Sequence, residues 1–344
     1  MQKLTGYMAG VNFGGWISQY RALDHEHFKT FITEKDFKTV ASWGMDHVRI
    51  PVDYPVLEQD SSPGVFLESG FAYLDNSVRW ASKYGLNVVI DVHKAPGFSF
   101  NTPDKNTLFT DPLMQDRFAG LWKAVAKRYR SEGGNVLYEL LNEIVEPDSS
   151  RWNPLALRLI NAIREVDADH SIIVGGIQYN NVRALALMPI FEDPKIVYNF
   201  HMYEPHAVTH QRAPWHKETL GFTKDIPYPG DVGVYLEFLQ YFKREIPDMY
   251  RGFDRIDKQF LYHLLQPAFD FIDRHDKPLY CGEYGVIEYA GLETRENYSA
   301  DLSDILLEYG IGRAVWTYKG MSFPHITKDG SPVSEKLVRA VSKH

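Results

Sequence analysis

Two glutamates, Glu143 and Glu283, each follow an apolar run: NVLYELLN (135–142) precedes the first, and KPLYCGE (277–283) ends on the second. A pair of carboxyl groups, one protonated and one ionised, suits acid–base and nucleophilic chemistry, and glycosidic bonds are commonly broken this way. A separation of about 5–5.5 Å goes with a covalent intermediate and retention, and about 6.5–9.5 Å with inversion. The plainer alternative is two salt-bridged rim residues, with Arg49 as a natural partner.

Other apolar runs end in the same manner. Asn12, Arg49, His93, Asn142, His201 with Tyr203, and Trp316 all stand where a run turns polar. Taken singly, such a residue is more often a cap or a satisfied rim group. Six such ends converging on one rim make a site.

The elements that would position them are eight apolar runs, at 8–13, 46–50, 86–93, 135–142, 171–176, 195–201, 277–283 and 313–318. Continuous apolar runs read as buried parallel strands. Amphipathic stretches lie between them, at 34–43, 113–130, 154–166 (with Pro154 suited to a first turn) and 293–309. Eight strands alternating with helices predict an α/β fold, a closed (β/α)8 TIM barrel whose strand C-termini carry the chemistry. The alternative, an open doubly wound sheet, lacks support in its nucleotide-binding versions, because no G-x-G-x-x-G or G-x-x-x-x-G-K-[ST] follows a strand. From Glu204 to about residue 262 no good strand appears, and 232–246 has a helical pattern. This reads as a helical insertion after the sixth strand, lining the cleft of a single catalytic domain spanning 1–344.

Composition narrows the function. The 45 acidic and 37 basic residues leave a net charge of −8, and no basic cluster suits nucleic acid. No run of about 18 apolar residues suggests a membrane span. The single cysteine, Cys281, rules out an intramolecular disulfide. Two residues before Glu283, it would share that strand face, and without an obvious base it reads as barrel packing. The start MQKLTGYMAGVNFGG lacks the apolar stretch of a secretory signal. That favours the cytoplasm, or a secreted protein whose signal lies outside this chain. The 7 Trp, 21 Tyr and 20 Phe supply core and, in part, rings for a sugar-binding cleft. Asp24-His25-Glu26-His27 has ligand-type side chains, but not the spacing that would let them converge on an ion.

The ordered set VNFGGW, HVRIPVDYP, IDVHKAPG, LYELLNE, YNFHMYEP, YCGEYG and AVWTYKG resembles glycoside hydrolase family 5 of clan A, over about residues 8–340. GGWISQY, ASWGMDHVRIPVDYPVLE, VEPDSSRWN and HQRAPW narrow the likeness to the clostridial endoglucanase C type of cellulase. The resemblance implies that Glu143 is the acid/base and Glu283 the nucleophile. It implies that Arg49 and Tyr203 hold Glu283, that His201 tunes Glu143, and that Asn142 binds the sugar 2-OH. His93 would bind sugar hydroxyls, and Trp316 would floor the subsite where the bond breaks. Trp16 and Trp215 read equally as sugar platforms or as packing. No metal and no cofactor is implied.

The expected activity is therefore retaining endo-β-1,4-glucanase action on soluble or mixed-linkage β-glucan, by a monomer. Another activity of the family (mannanase, glucomannanase or exo-acting β-glucosidase) and a non-catalytic carbohydrate-binding barrel are the alternatives.

Overall fold

The computed structural model describes residues 2–216 and 220–343. Eight parallel strands close a barrel: β1 (Gly10–Asn12), β2 (His47–Asp53), β3 (Asn87–Lys94), β4 (Val136–Glu139), β5 (Ile172–Gly175), β6 (Ile196–Met202), β9 (Leu279–Tyr284) and β10 (Gly312–Val315). Two further strands, β7 (Gly230–Asp231) and β8 (Arg255–Ile256), pair antiparallel outside it. Each of the eight runs read from the sequence overlaps a barrel strand; β2 runs on to Asp53, three residues past its apolar run, and several other strands are shorter than theirs. β4 stops at Glu139 and β10 at Val315, so Glu143 and Trp316 stand on the loops that follow.

Alternation along the strands separates two apolar regions. Val88, Ile90 and Val92 face outward to the helices, as do Val136 and Tyr138, and Ile196, Tyr198 and Phe200. The residues between them, Val89, Leu137 and Val197, join Ile173, Tyr280 and Ala314 in a plug inside the barrel, against Tyr7 and Leu4. Two residues further along three of these strands, the inward face changes character: Asp91, Glu139 and Asn199 are buried and polar. Another two residues bring His93 and His201 to the mouth.

β9 departs from this alternation. Phe200 pairs with Cys281, but His201 pairs with Glu283, so Gly282 is an extra residue in the ladder. This bulge turns Glu283 into the barrel beside His201. Cys281 therefore does not share the face of Glu283, contrary to the simple two-residue period. It packs in the layer between strands and helices, and burial pushes its thiol pKa up. Gly282 itself has no room for a side chain, since a Cβ there would lie 2.9 Å from Asn199.

The helices follow the amphipathic stretches, with one clear difference. The helix predicted from residue 154 begins five residues earlier, as Ser149–Arg164, because Asp148 caps it by accepting the Ser150 N–H at 2.8 Å. Pro154 lies inside this helix rather than in its first turn.

The connection between β6 and the helix Lys258–His275 is not purely helical. It carries the short helix His206–Thr209, the β7–β8 ribbon and the helix Val232–Tyr241, whose N-cap is Asp231. The latter ends before the predicted residue 246: the chain turns at Lys243, which has a left-handed φ of 52°. Residues 258–262 belong to the following barrel helix. Residues 217–219, which the predicted insertion includes, lie outside the described residues.

Candidate active site

Arg49 is the hub of the polar layer. Fully buried on β2, it would be costly there without partners. It bonds Glu139 at two points, Nε to Oε2 at 2.7 Å and Nη2 to Oε1 at 2.8 Å. Nη2 also meets Asp91 at 3.0 Å and Asn142 Oδ1 at 2.9 Å. Nη1 donates to Asn12 Oδ1 at 2.8 Å and to Glu283 Oε1 at 2.9 Å.

Three carboxyl groups around one guanidinium exceed its charge. Burial accordingly favours their neutral forms, against the pull of Arg49. The Asp91 pKa is pushed up to about 7, that of Glu139 is raised, and that of Glu283 is pushed up to about 7.

Glu283 and Glu143 face one another across the mouth. One carboxylate oxygen of each, with a ring nitrogen of His201, forms a group whose atoms all lie within 4.8 Å of one another. Their surroundings differ. Glu283 accepts from Arg49 and from the Tyr203 hydroxyl, the latter at 3.0 Å. Glu143, partly exposed, has His201 Nδ1 at 3.1 Å from Oε1. Burial raises its pKa to about 7 and lowers that of His201 to about 4, so His201 is neutral at neutral pH. The two glutamates titrate as a pair. The shared proton belongs on Glu143, because two donors, one of them a cation, favour the ionised form of Glu283.

Glu143 has a left-handed φ of 36°, an uncommon conformation for a glutamate. Its neighbours hold the loop in place: the Asn142 N–H reaches Val92 O at 3.1 Å, and Ile144 O accepts the Tyr179 N–H at 3.0 Å.

At the cleft, buried side-chain nitrogens of Asn142 and His93 are left without protein partners. Asn142 spends its Oδ1 on Arg49, and its Nδ2 is unpaired. His93 bonds Asp91 through Nδ1 at 2.7 Å, and its Nε2 is unpaired. Trp316 lies parallel to the His93 ring, with an interplanar angle of 3° and centroids 5.8 Å apart. Together with Glu143, His201, Tyr203 and Glu283, these residues line a cleft of about 930 Å³. The β6–β9 connection contributes Glu204, His206, His210, Trp215, His216, Phe238 and Arg244 to its lining.

Arg49, His93, Asn142, Glu143, His201, Tyr203, Glu283 and Trp316 are thus brought together. Trp215 also lines the cleft, 55% exposed, with its ring 6.3 Å from that of Phe323. Trp16 is not part of it. It is 1% exposed, donates from Nε1 to Phe28 O at 2.6 Å and packs edge-on to Tyr73. His25 and His27 diverge, to Tyr73 and to the Gly15 carbonyl respectively.

Four supporting residues were not singled out from the sequence: Asp91, Glu139, Asn199 and Asn180. Asn199 ties the layer together, donating to Glu139 Oε1 at 2.8 Å and accepting the Gly282 N–H at 2.9 Å. Asn180, fully buried, places Nδ2 3.5 Å from His201 Nε2. A signal existed for the first three, since each is a polar residue inside an apolar strand run (VVIDVH, VLYELL, IVYNFH).

Residues 9–322 match the family Cellulase (glycosyl hydrolase family 5). Endoglucanase C of Acetivibrio thermocellus is 43% identical over 345 aligned residues, covering 99% of each chain. Cellodextrinase A of Ruminococcus flavefaciens is 33% identical, over 91% of this chain and 86% of its own. Among solved structures, Thermotoga maritima Cel5A in complex with cellobiose superposes with a TM-score of 0.79 at 22% identity, covering 99% of this chain and 100% of that one. With the barrel and the paired glutamates at its mouth, these matches show that the chain belongs to glycosyl hydrolase family 5, the cellulase family.

Proposed function

We propose that this glycoside hydrolase is a retaining endo-β-1,4-glucanase that cleaves internal bonds of soluble or mixed-linkage β-glucans. The observation that carries the reading is the unequal setting of the two glutamates. Glu283 is held by Arg49 and Tyr203, and Glu143 faces a neutral histidine. Oxygen atoms within 4.8 Å of one another fit the separation of about 5.5 Å used for retention better than the wider gap that admits a water.

Glu283 attacks the anomeric carbon while the bond to the leaving oxygen breaks and Glu143 gives that oxygen its proton. The glycosyl group is then esterified to Glu283. With Glu283 no longer charged, Glu143 accepts a proton from a water molecule as that water attacks the anomeric carbon and Glu283 leaves as carboxylate. Asn142 Nδ2, a donor, and His93 Nε2 are free to meet sugar hydroxyls, and Trp316 supplies an apolar face for the ring. The endoglucanase and cellodextrinase names of the relatives support a β-glucan substrate.

Glu283→Gln should abolish turnover of soluble β-glucan with the fold intact. Glu143→Gln should keep activity on aryl glycosides, whose good leaving groups need little protonation. Near wild-type hydrolysis by Glu283→Gln would overturn the assignment. Product sizing on carboxymethylcellulose, lichenan and mannan tests the endo action and the sugar.

A further inference from the structure

Beside the cleft lies a second cavity, of about 970 Å³. Met321 and Ser322, with left-handed φ values of 52° and 61°, line both spaces. Arg295, near the start of the helix Leu292–Glu308, lines the second cavity alone and is 5% exposed. Its Nη2 donates to Pro324 O at 2.5 Å, its Nε has no partner, and it forms no ion pair among the described residues. A buried cation without a carboxylate is unfavourable. Burial holds the Arg295 pKa below the ordinary arginine value, against the weaker pull of Glu288. Arg49, buried as deeply, has three carboxyl groups around it; Arg295 has a cavity in front of it.

The remaining lining sets the charge and shape of what could enter. Lys35, Lys319 and Lys328 add to Arg295, and Asp36, Glu288 and Asp329 oppose them, which leaves one positive charge in excess. Two of these carboxylates are occupied: Asp36 by Lys319 at 3.2 Å, and Asp329 by the Ser331 N–H at 3.1 Å. Glu288 is exposed and acts on Arg295. A singly charged ligand suits this setting better than a doubly charged oxyanion, which Glu288 would repel more strongly. The walls also carry the rings of Phe31 and Tyr318, with Lys319 Nζ 4.9 Å and 5.8 Å from their centroids. Thr30 and Thr39 donate their hydroxyl protons to the carbonyls of Glu26 and Lys35, so they offer the cavity acceptor oxygens. Apolar ring faces and acceptors match the CH faces and hydroxyl groups of a sugar, and the volume suits one small ligand. We propose that this cavity is an accessory binding site for a carboxylate-bearing sugar, whose carboxylate pairs with Arg295. The proposal does not depend on the roles of Glu143 and Glu283.

Titration calorimetry of the whole chain with glucuronate, glucose, acetate and inorganic phosphate tests it. Glucuronate should bind at one site, roughly tenfold or more tightly than each of the other three, since only it joins one negative charge to a hydroxylated ring. Arg295→Met should weaken glucuronate binding at least tenfold, the effect of one lost charge-assisted hydrogen bond. Glu288→Gln, at an exposed position that the fold does not depend on, should tighten it about threefold by removing a like charge. Absence of glucuronate binding by the wild type would overturn the proposal. So would phosphate or glucose binding as tightly as glucuronate, or an affinity for glucuronate that Glu288→Gln leaves unchanged.

Discussion

Arg49 and Glu139 face each other inside the barrel as a two-point ion pair, with both nitrogen–oxygen distances at or below 2.8 Å. Two parallel bonds fix the plane of a guanidinium as well as its position. With Nε and Nη2 so committed, Nη1 is left aimed at Glu283. Glu139 thus acts on the cleft through Arg49, as a positioning residue.

Glu139→Gln keeps the shape and gives up the charge. It should lower kcat/KM on soluble β-glucan by about a hundredfold, because Arg49 loses its alignment with Glu283. With Arg49 displaced, Glu283 also loses part of the charge that favours its ionised form, so the acid limb of the pH–rate profile should move to higher pH. A merely structural role would lower the rate and leave that limb where it is.

The pH dependence of the wild type follows from one proton shared by two carboxyls. In the proposed mechanism, activity needs Glu283 ionised and Glu143 protonated. It should fall on the acid side as Glu283 takes up a proton and on the alkaline side as Glu143 loses one. Both limbs should lie around the raised values near 7, giving a narrow bell in kcat/KM. Glu143→Gln, assayed on an activated aryl glycoside, should lose the alkaline limb and keep the acid one.

Stability should carry the opposite signature. Burial raises Glu143 from an ordinary 4.5 to about 7, so the folded state binds more protons than the unfolded one in that interval. Its favourable contribution is present below about pH 4.5 and is lost as pH rises to about 7. Glu143→Gln removes the cost of a buried charge, at most about 3 kcal/mol. In thermal melts it should be more stable than wild type at pH 8 and close to it at pH 4.

The two tryptophans read alike from the sequence should part company. Trp16→Phe leaves the Phe28 carbonyl without its buried donor and should cost about 1–3 kcal/mol in denaturant unfolding, with KM unchanged. Trp215→Ala should raise KM for long oligosaccharides, with stability within about 0.5 kcal/mol of wild type.

What was legible in the chain depended on how local the signal was. The strands announced themselves because burial on both faces demands unbroken apolar runs. The rim announced itself because those runs end in Arg, His, Asn and Glu. Trp16 and Trp215 could not be told apart, since whether an indole meets water depends on where distant segments fold. Pro154 misled as a helix start because Asp148, six residues before it, is the stronger cap. The polar layer of Asp91, Glu139 and Asn199 was visible in principle, as polar residues interrupting apolar runs. The left-handed turn at 178–180, directly after β5, leaves no such mark: Gln-Tyr-Asn has no glycine to betray it, and its conformation is imposed by contacts with Ile144 and His201.

The extra residue at Gly282 makes the position of the Glu283 carboxylate a matter of counting. Were Gly282 to pair as an ordinary residue, the strand would keep its even rhythm. Tyr284 would inherit the inward place, and the neighbouring acid would be turned toward the greasy sleeve of helices. Every side chain named in the cleft would still be encoded, in the same order, yet the carboxylate proposed to attack would be missing from the mouth. In this barrel, parity along a single strand stands between a hydrolase and an inert cup for sugar.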